Sequence, residues 1–287
     1  MKFVTCRKDL VNPDRLGELA YCEVKNNTDP VLSDFDSTFC EGERVLLVVH
    51  GYNEPYAQIL EKMLQFENLY SSEFDSVVGF LWPGGDHFWE FFGALMGLGK
   101  VSKLFADLLS QMNQTLGGEN VNLWVHSLGN AVVLKALNLI DSPNVASSTL
   151  INHYYSFAAS IDAKSLDVEG EYYPCLNYVN QMMVCYAKED WVTSRLYYVG
   201  DMFTGMDSGL GGYGPQDFFS FKQGRVLETH SNVVWVDGDC SNPGIEGGVR
   251  AHTFYYDSID AYEFVVKMKQ GIDSGNYKLH CELKSSE

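Results

Sequence analysis

The stretch Asn122-Leu-Trp-Val-His-Ser-Leu-Gly-Asn-Ala131 constrains the fold more than any other. An apolar run ends at Ser127 and passes at once into a helix-like sequence, Ala131-Val-Val-Leu-Lys-Ala-Leu137. The segment reads as strand, tight turn, helix, with a serine at the corner. A serine lifted out of a sheet on such a turn has backbone N–H groups and the positive end of the following helix beside it, which suits a nucleophile. The competing reading is that Ser127 only caps the helix, since serine is a preferred N-cap.

Other segments repeat the alternation of strand and helix. Arg44-Val-Leu-Leu-Val-Val-His50 is a β-branched apolar run of the kind a buried parallel strand shows, and it ends in His50-Gly51-Tyr52-Asn53. Pro55 opens a helical pattern through Ile59, Met63, Phe66 and Leu69; Ser76 to Leu81 reads as a second buried strand, stopped by Trp82-Pro-Gly-Gly85. Lys100 to Leu116 carries a helical stripe. Tyr154 to Ala159, Gln181 to Tyr186 and Asn232 to Val236 are strand-like, each followed by polar residues, and Ser258 to Lys269 fits a closing helix. Phe3 to Cys6 and Leu19 to Val24 read as two N-terminal edge strands within residues 1–43, with no sign of chemistry. The pattern predicts one α/β domain over residues 1–287, a mostly parallel sheet flanked by helices on both faces, whose strand ends converge on one rim. Gly200 to Gln223, rich in glycine and aromatics, is expected to be a cap before the last strand.

A formal net charge of −18 disfavours nucleic acid and anionic membrane surfaces as partners. The 7 cysteines show no zinc-ligand spacing and no disulfide framework, which predicts a chain without metal or cofactor in the reducing cytoplasm. No segment has the roughly 18 apolar residues of a membrane helix. The nearest, Phe88 to Gly99, is too short and carries Glu90.

A serine nucleophile needs an imidazole to take its proton and a carboxylate to orient that imidazole. His50 and His126 flank the presumed oxyanion loop and the nucleophile, His280 lies in a polar tail, and His230 precedes the last strand. His252, in a loop between the last strand and the closing helix, is the best-placed base. Asp190 is the expected acid, with Asp162 as its rival one strand earlier; either could instead cap a helix. The chain order Ser, Asp, His favours Asp190. The backbone N–H groups of Tyr52 and Leu128 are the expected oxyanion donors.

On Val48-Val-His-Gly-Tyr-Asn53, Phe80-Leu-Trp-Pro83, Val125-His-Ser-Leu-Gly-Asn130, Tyr186-Ala-Lys-Glu-Asp-Trp-Val192 and Ala251-His-Thr-Phe-Tyr255, the chain resembles the α/β-hydrolase superfamily. Within it, the sequence is similar to a little-characterised, mainly bacterial branch of esterase/lipase-like serine hydrolases. The resemblance spans about Arg44 to Lys269. It implies an α/β-hydrolase fold, Ser127 as nucleophile, Asp190 as acid, His252 as base, and Tyr52 and Leu128 as oxyanion donors. One position departs from the pattern: Val125 stands where the elbow usually has glycine, which predicts a looser elbow or a shifted strand.

The expected activity is hydrolysis of a small-molecule carboxylic ester or thioester through an acyl-enzyme. His50, Trp82, Trp89 and Trp191 are expected near the substrate, and Phe88, Phe91, Phe92 and Phe218 with them would favour an apolar acyl or aryl group. The alternatives are a hydrolase fold kept as a binding module, docking through Phe88 to Leu98, and acyl transfer in place of hydrolysis.

Overall fold

The structure is a computed structural model that describes all residues except 11–14, 26–28, 86–89, 141–148, 163, 168–169, 188–189, 194–208, 213–232, 240–248, 257, 271–275 and 281–287. Trp89, Phe218, His230 and all of the expected cap but Gly209–Gly212 lie outside the described residues. The chain divides into two compact units, Met1–Asn152 and His153–Glu287.

In the first unit the strands are β1 (Lys2–Arg7), β2 (Leu16–Glu23), β3 (Val31–Ser33), β4 (Val45–Val49), β5 (Ser76–Leu81) and β6 (Val121–His126), in the order β6-β4-β5-β1-β2-β3. β4 pairs in parallel with both β5 and β6. With a neighbour on each edge and every residue buried, it needs the unbroken run Val45-Leu-Leu-Val-Val49 that the sequence supplies. Helices α2 (Tyr56–Tyr70), α3 (Phe91–Leu116) and α4 (Gly129–Leu139) follow β4, β5 and β6; a four-residue α1 (Phe35–Thr38) is capped by the Asp34 carboxylate. α2 buries Ile59, Met63, Phe66 and Tyr70, one stripe at helical spacing. The apolar run around Gly93 opens α3, where Ala94 and Leu98 are buried and Met96 is exposed.

β1 is no edge strand. It pairs in parallel with β5 and antiparallel with β2, which leaves the short β3 at the edge. Flanked on both sides, β1 is buried from Phe3 onward, and Arg7 at its end is buried too. The register Thr5↔Leu81 brings Arg7 beside Trp82, whose carbonyl accepts from Arg7 Nε at 2.9 Å.

In the second unit, β7 (Ile151–Phe157), which begins two residues before the division, β8 (Val179–Tyr186), β9 (Val233–Asp239) and β10 (Asn276–His280) follow the order β10-β9-β8-β7. Parallel pairs join β8 to β9 and β9 to β10. The strand through Val236 is therefore not the last, and His280 ends a strand where a polar tail was expected; the alternating Asn276-Tyr-Lys-Leu-His280 is a strand pattern at a sheet edge. His252 lies in a short helix, α5 (Val249–Thr253), ahead of α6 (Ile259–Lys269), which Ser258 caps by accepting from Ala261 N. Gly209–Gly212 runs against the ends of β7 and β8: Gly211 N donates to Ala159 O at 2.9 Å and Ala187 N to Gly211 O at 2.9 Å.

Arg7 tests how the first unit is held. Its guanidinium serves the carbonyls of Trp82 and Glu54 and the ring of His50. Arg7→Met would remove the buried hydrogen bonds to the Trp82 and Glu54 carbonyls and to the His50 ring and should lower stability by about 3 kcal/mol, read from urea unfolding.

Candidate active site

The β4–β6 register runs unbroken from Val45↔Val121 to Val49↔Val125. His50-Gly51 and His126-Ser127 thus leave the sheet side by side. Ser127 has φ 51, in the left-handed region that costs a non-glycine residue roughly 1–2 kcal/mol. Asn130 Nδ2 donates to Ser127 O at 3.0 Å and to Val125 O at 3.4 Å, and Asn130 N donates to Ser127 O at 3.1 Å, so one buried side chain and its own amide hold the corner. Val125 does not shift the strand. Its side chain is fully buried, and the register runs unbroken up to it.

Two glycines allow the close approach. A Cβ on Gly129 would lie 2.6 Å from His50 O, and one on Gly51 would lie 2.8 Å from His126 Nδ1 and 2.9 Å from Ser127 Cβ. The loop 50–53 therefore rests on the serine corner. Asn53, at φ 59, turns the loop and donates its N–H to Gly84 O at 3.2 Å, so Tyr52 and Leu128, the expected oxyanion donors, sit on the two segments brought into contact.

Behind this loop lies a buried polar cluster. Trp82 N–H donates to His50 Nε2 at 3.1 Å, and Arg7 Nη2 lies 3.3 Å from the same nitrogen. Nε2 is thus the acceptor, and the ring proton sits on Nδ1, donating to Gly51 O at 2.7 Å. Burial, then the Arg7 charge, push the His50 pKa down to about 3. Trp82 stacks on this ring, with centroids 5.5 Å apart, and donates Nε1–H to His50 O. His50 and Trp82, expected beside the substrate, are both buried and serve to hold the loop.

Glu54, like Arg7 and Lys62, is a member of the cluster that sequence reasoning missed. Its Oε1 accepts from Gly51 N at 3.2 Å and lies 3.6 Å from His126 Nδ1; its Oε2 accepts from Lys62 Nζ at 2.9 Å. Burial raises the Glu54 carboxyl, but hydrogen bonding with His126 and the charge of Lys62 outweigh it and hold the group well below the usual carboxylate range. A glutamate just before a helix resembles an ordinary exposed first-turn acid, so no sequence signal separates it.

The second unit holds the other expected residues. His252 Nδ1 lies 2.8 Å from Asp190 Oδ2, and both side chains are buried. The other oxygen, Asp190 Oδ1, accepts from Val192 N at 2.9 Å and Thr193 N at 3.1 Å. Asp190 therefore caps the turn that follows and also binds the imidazole. With the carboxylate accepting, Nδ1 carries the proton and Nε2 keeps its lone pair. Asp162 Oδ1 accepts from Lys164 N at 2.7 Å, a local turn contact. Trp191, beside Asp190, is 53% exposed.

Among the described residues there is no His/Cys/Asp/Glu group arranged to hold a metal ion, and no helix long and apolar enough to cross a membrane. Strands alternating with helices in a mostly parallel sheet, with a left-handed serine at a strand-to-helix corner, define an α/β hydrolase. The chain belongs to the family described as alpha/beta hydrolase of unknown function (DUF900), whose profile matches residues 33–191 and so includes Ser127 and Asp190. Comparison with curated proteins found no match. Similar solved structures include an esterase of Pyrobaculum calidifontis (10% identity, TM-score 0.36, 92% of this chain and 73% of that one). Another is FphF, a fluorophosphonate-binding serine hydrolase of Staphylococcus aureus (12% identity, TM-score 0.41, 93% and 97%). A third is a 2,6-dihydroxy-pseudo-oxynicotine hydrolase (10% identity, TM-score 0.41, 91% and 71%).

The depressed His50 makes folding depend on pH. Between about 3 and the ordinary 6.5 the unfolded chain holds a proton on this ring that the folded chain does not, so stability is lost as pH falls through that window. His153, pushed down to about 4 by burial and then by Lys269, acts in the same direction, so a difference between proteins is needed. From pH 6 to pH 5 the urea-unfolding free energy of the wild type should fall by about 1.2 kcal/mol more than that of His50→Gln.

Proposed function

We propose that the protein is a serine hydrolase that cleaves carboxylic esters, including thioesters, with Ser127 as nucleophile, His252 as base and Asp190 as the acid that orients it. The observation that carries this reading is the 2.8 Å bond from His252 Nδ1 to Asp190 Oδ2, between two residues that follow a left-handed corner serine in the order Ser, Asp, His. In this mechanism Ser127 Oγ attacks the acyl carbon while its proton passes to His252 Nε2. The carbonyl oxygen becomes an oxyanion facing the N–H groups of Tyr52 and Leu128. Collapse expels the alcohol or thiol, which takes the proton from His252, and leaves an acyl-enzyme. Water then attacks the acyl carbon, giving its proton to His252, and the acid leaves as Ser127 regains a proton.

On this reading residues 1–287 act as one catalytic domain. The exposed Trp191 beside Asp190 supports an apolar acyl or aryl substrate.

A fluorophosphonate probe should label the wild type and not Ser127→Ala, and the wild type should turn over some members of a series of p-nitrophenyl esters of rising chain length. Labelling of the alanine variant at the wild-type rate would remove Ser127 as nucleophile. Asp190→Asn is the sharper test of the acid. Its amide oxygen can still accept from Val192 and Thr193, but the amide nitrogen would face His252 Nδ1 and force the wrong tautomer. The value of kcat should fall by about 10³-fold or more while the thermal midpoint moves little.

A further inference from the structure

Gly51 is held on both of its polar groups by buried side chains. Its C=O accepts from His50 Nδ1–H at 2.7 Å, and its N–H donates to Glu54 Oε1 at 3.2 Å. The peptide joining Gly51 to Tyr52 is trans and planar, so fixing the direction of the Gly51 carbonyl fixes the opposite direction for Tyr52 N–H. His50 alone would leave the glycine free to rotate about its own φ, because the preceding N–H would be unrestrained. Glu54 removes that freedom, and Glu54 is itself anchored: Oε2 takes Lys62 Nζ at 2.9 Å, two turns into α2, while Oε1 lies against His126, the residue before Ser127.

We propose that Glu54 is a positioning residue, a buried carboxylate that clamps the loop after β4 onto the serine corner and so sets the orientation of the Gly51–Tyr52 peptide and its N–H. Two features distinguish this role from that of a surface ion pair. The carboxylate is 5% exposed, where a pair held only for solubility would be solvated. It also bonds a backbone N–H that belongs to the loop and a lysine that belongs to a helix, so it couples the loop to a rigid element. The inference rests on the reading of Tyr52 N–H as an oxyanion donor. Because an oxyanion exists only in the transition state, misaiming that donor should lower kcat and leave KM nearly unchanged.

The test uses the full chain and two variants. Glu54→Gln keeps the shape and loses the charge; Lys62→Met keeps the carboxylate and removes its anchor. Hydrogen exchange by mass spectrometry follows peptides covering residues 50–55, with the strand 45–49 as internal control, and activity is expressed per active site titrated with fluorophosphonate. Glu54→Gln should exchange at least about tenfold faster in 50–55 than the wild type, with 45–49 unchanged, and Lys62→Met should exchange faster by a smaller factor. On a p-nitrophenyl ester, kcat per titrated site should fall by about 10–100-fold in Glu54→Gln with KM within about twofold, and affinity for an alkyl boronic acid should fall by a similar factor. A lowered thermal midpoint with kcat per site and boronate affinity both within twofold of wild type would overturn the proposal and leave Glu54 a purely structural residue. If Glu54→Gln fails to fold, the same readings on Lys62→Met decide. A wild type that fluorophosphonate does not label at Ser127 would sink the serine-hydrolase reading separately. Exchange would then decide alone: faster exchange at 50–55 in the variants keeps the clamp, and unchanged exchange removes it.

Discussion

The parallel pairing of β4 with β6 sets the arrangement of the first unit, because its register determines which residues leave the sheet together. Val49↔Val125 is the last pair, so the next residues, His50 and His126, and then Gly51 and Ser127, emerge side by side. Backbones that emerge so close leave no room for side chains between them. The loop must offer glycine at 51 and the helix must offer glycine at 129, where a Cβ would meet His50 O at 2.6 Å. Two glycines far apart in sequence thus answer one geometric demand. The left-handed Ser127 answers the same demand from the other side, since the chain has to turn from strand to helix within two residues.

Close approach of polar backbone leaves groups that water cannot reach, and the surrounding side chains satisfy them. Arg7 enters from β1, Trp82 from the end of β5, and Glu54 and Lys62 from the segment after β4. A buried cation and a buried carboxylate each cost several kcal/mol unless they are paired and hydrogen-bonded. Glu54 has both kinds of partner, an amide and an ammonium, while Arg7 is held by hydrogen bonds to carbonyls and to a neutral ring. The charge on Arg7 also helps to keep His50 neutral, and a neutral His50 with its proton on Nδ1 is the form that can hold the Gly51 carbonyl.

The strand-to-helix alternation, the serine corner and the strand-end position of Asp190 were legible because they follow from local rules. Apolar runs of five or six residues mark buried strands, and polar residues just past them mark the functional rim. Arg7, Glu54 and Lys62 were not legible. A lone charged residue beside an apolar run looks the same in sequence whether it is solvated or buried, and Arg7 finds its partners 43 to 75 positions away. β1 was taken for an edge because its short run carries no mark of how many neighbours it has. β10 was read as tail because Asn276-Tyr-Lys-Leu-His280 is half polar, as an edge strand is allowed to be. Val125 misled in the opposite direction: a size rule for one position predicted disturbance, but the side chain is accommodated in the core and the strand keeps its register.

The two capping alternatives resolve differently, and for reasons of backbone geometry. An N-cap residue takes extended φ and ψ and turns its oxygen onto the first free amides of the helix. Ser127, at φ 51, does not have that conformation, and α4 begins at Gly129 with Leu128 at its N-cap and no side-chain cap. The amides at the start of α4 are thus not committed to a capping side chain, and Asn130 takes over the task of holding the turn by bonding Ser127 O and Val125 O. Asp190 is a cap, yet capping occupies only one of its oxygens. A carboxylate has a second oxygen with its own lone pairs, and fixing the first against two amides fixes the plane in which the second must lie. The cap therefore supplies the rigidity with which Asp190 Oδ2 holds His252, so capping the turn and binding the imidazole are two halves of one arrangement.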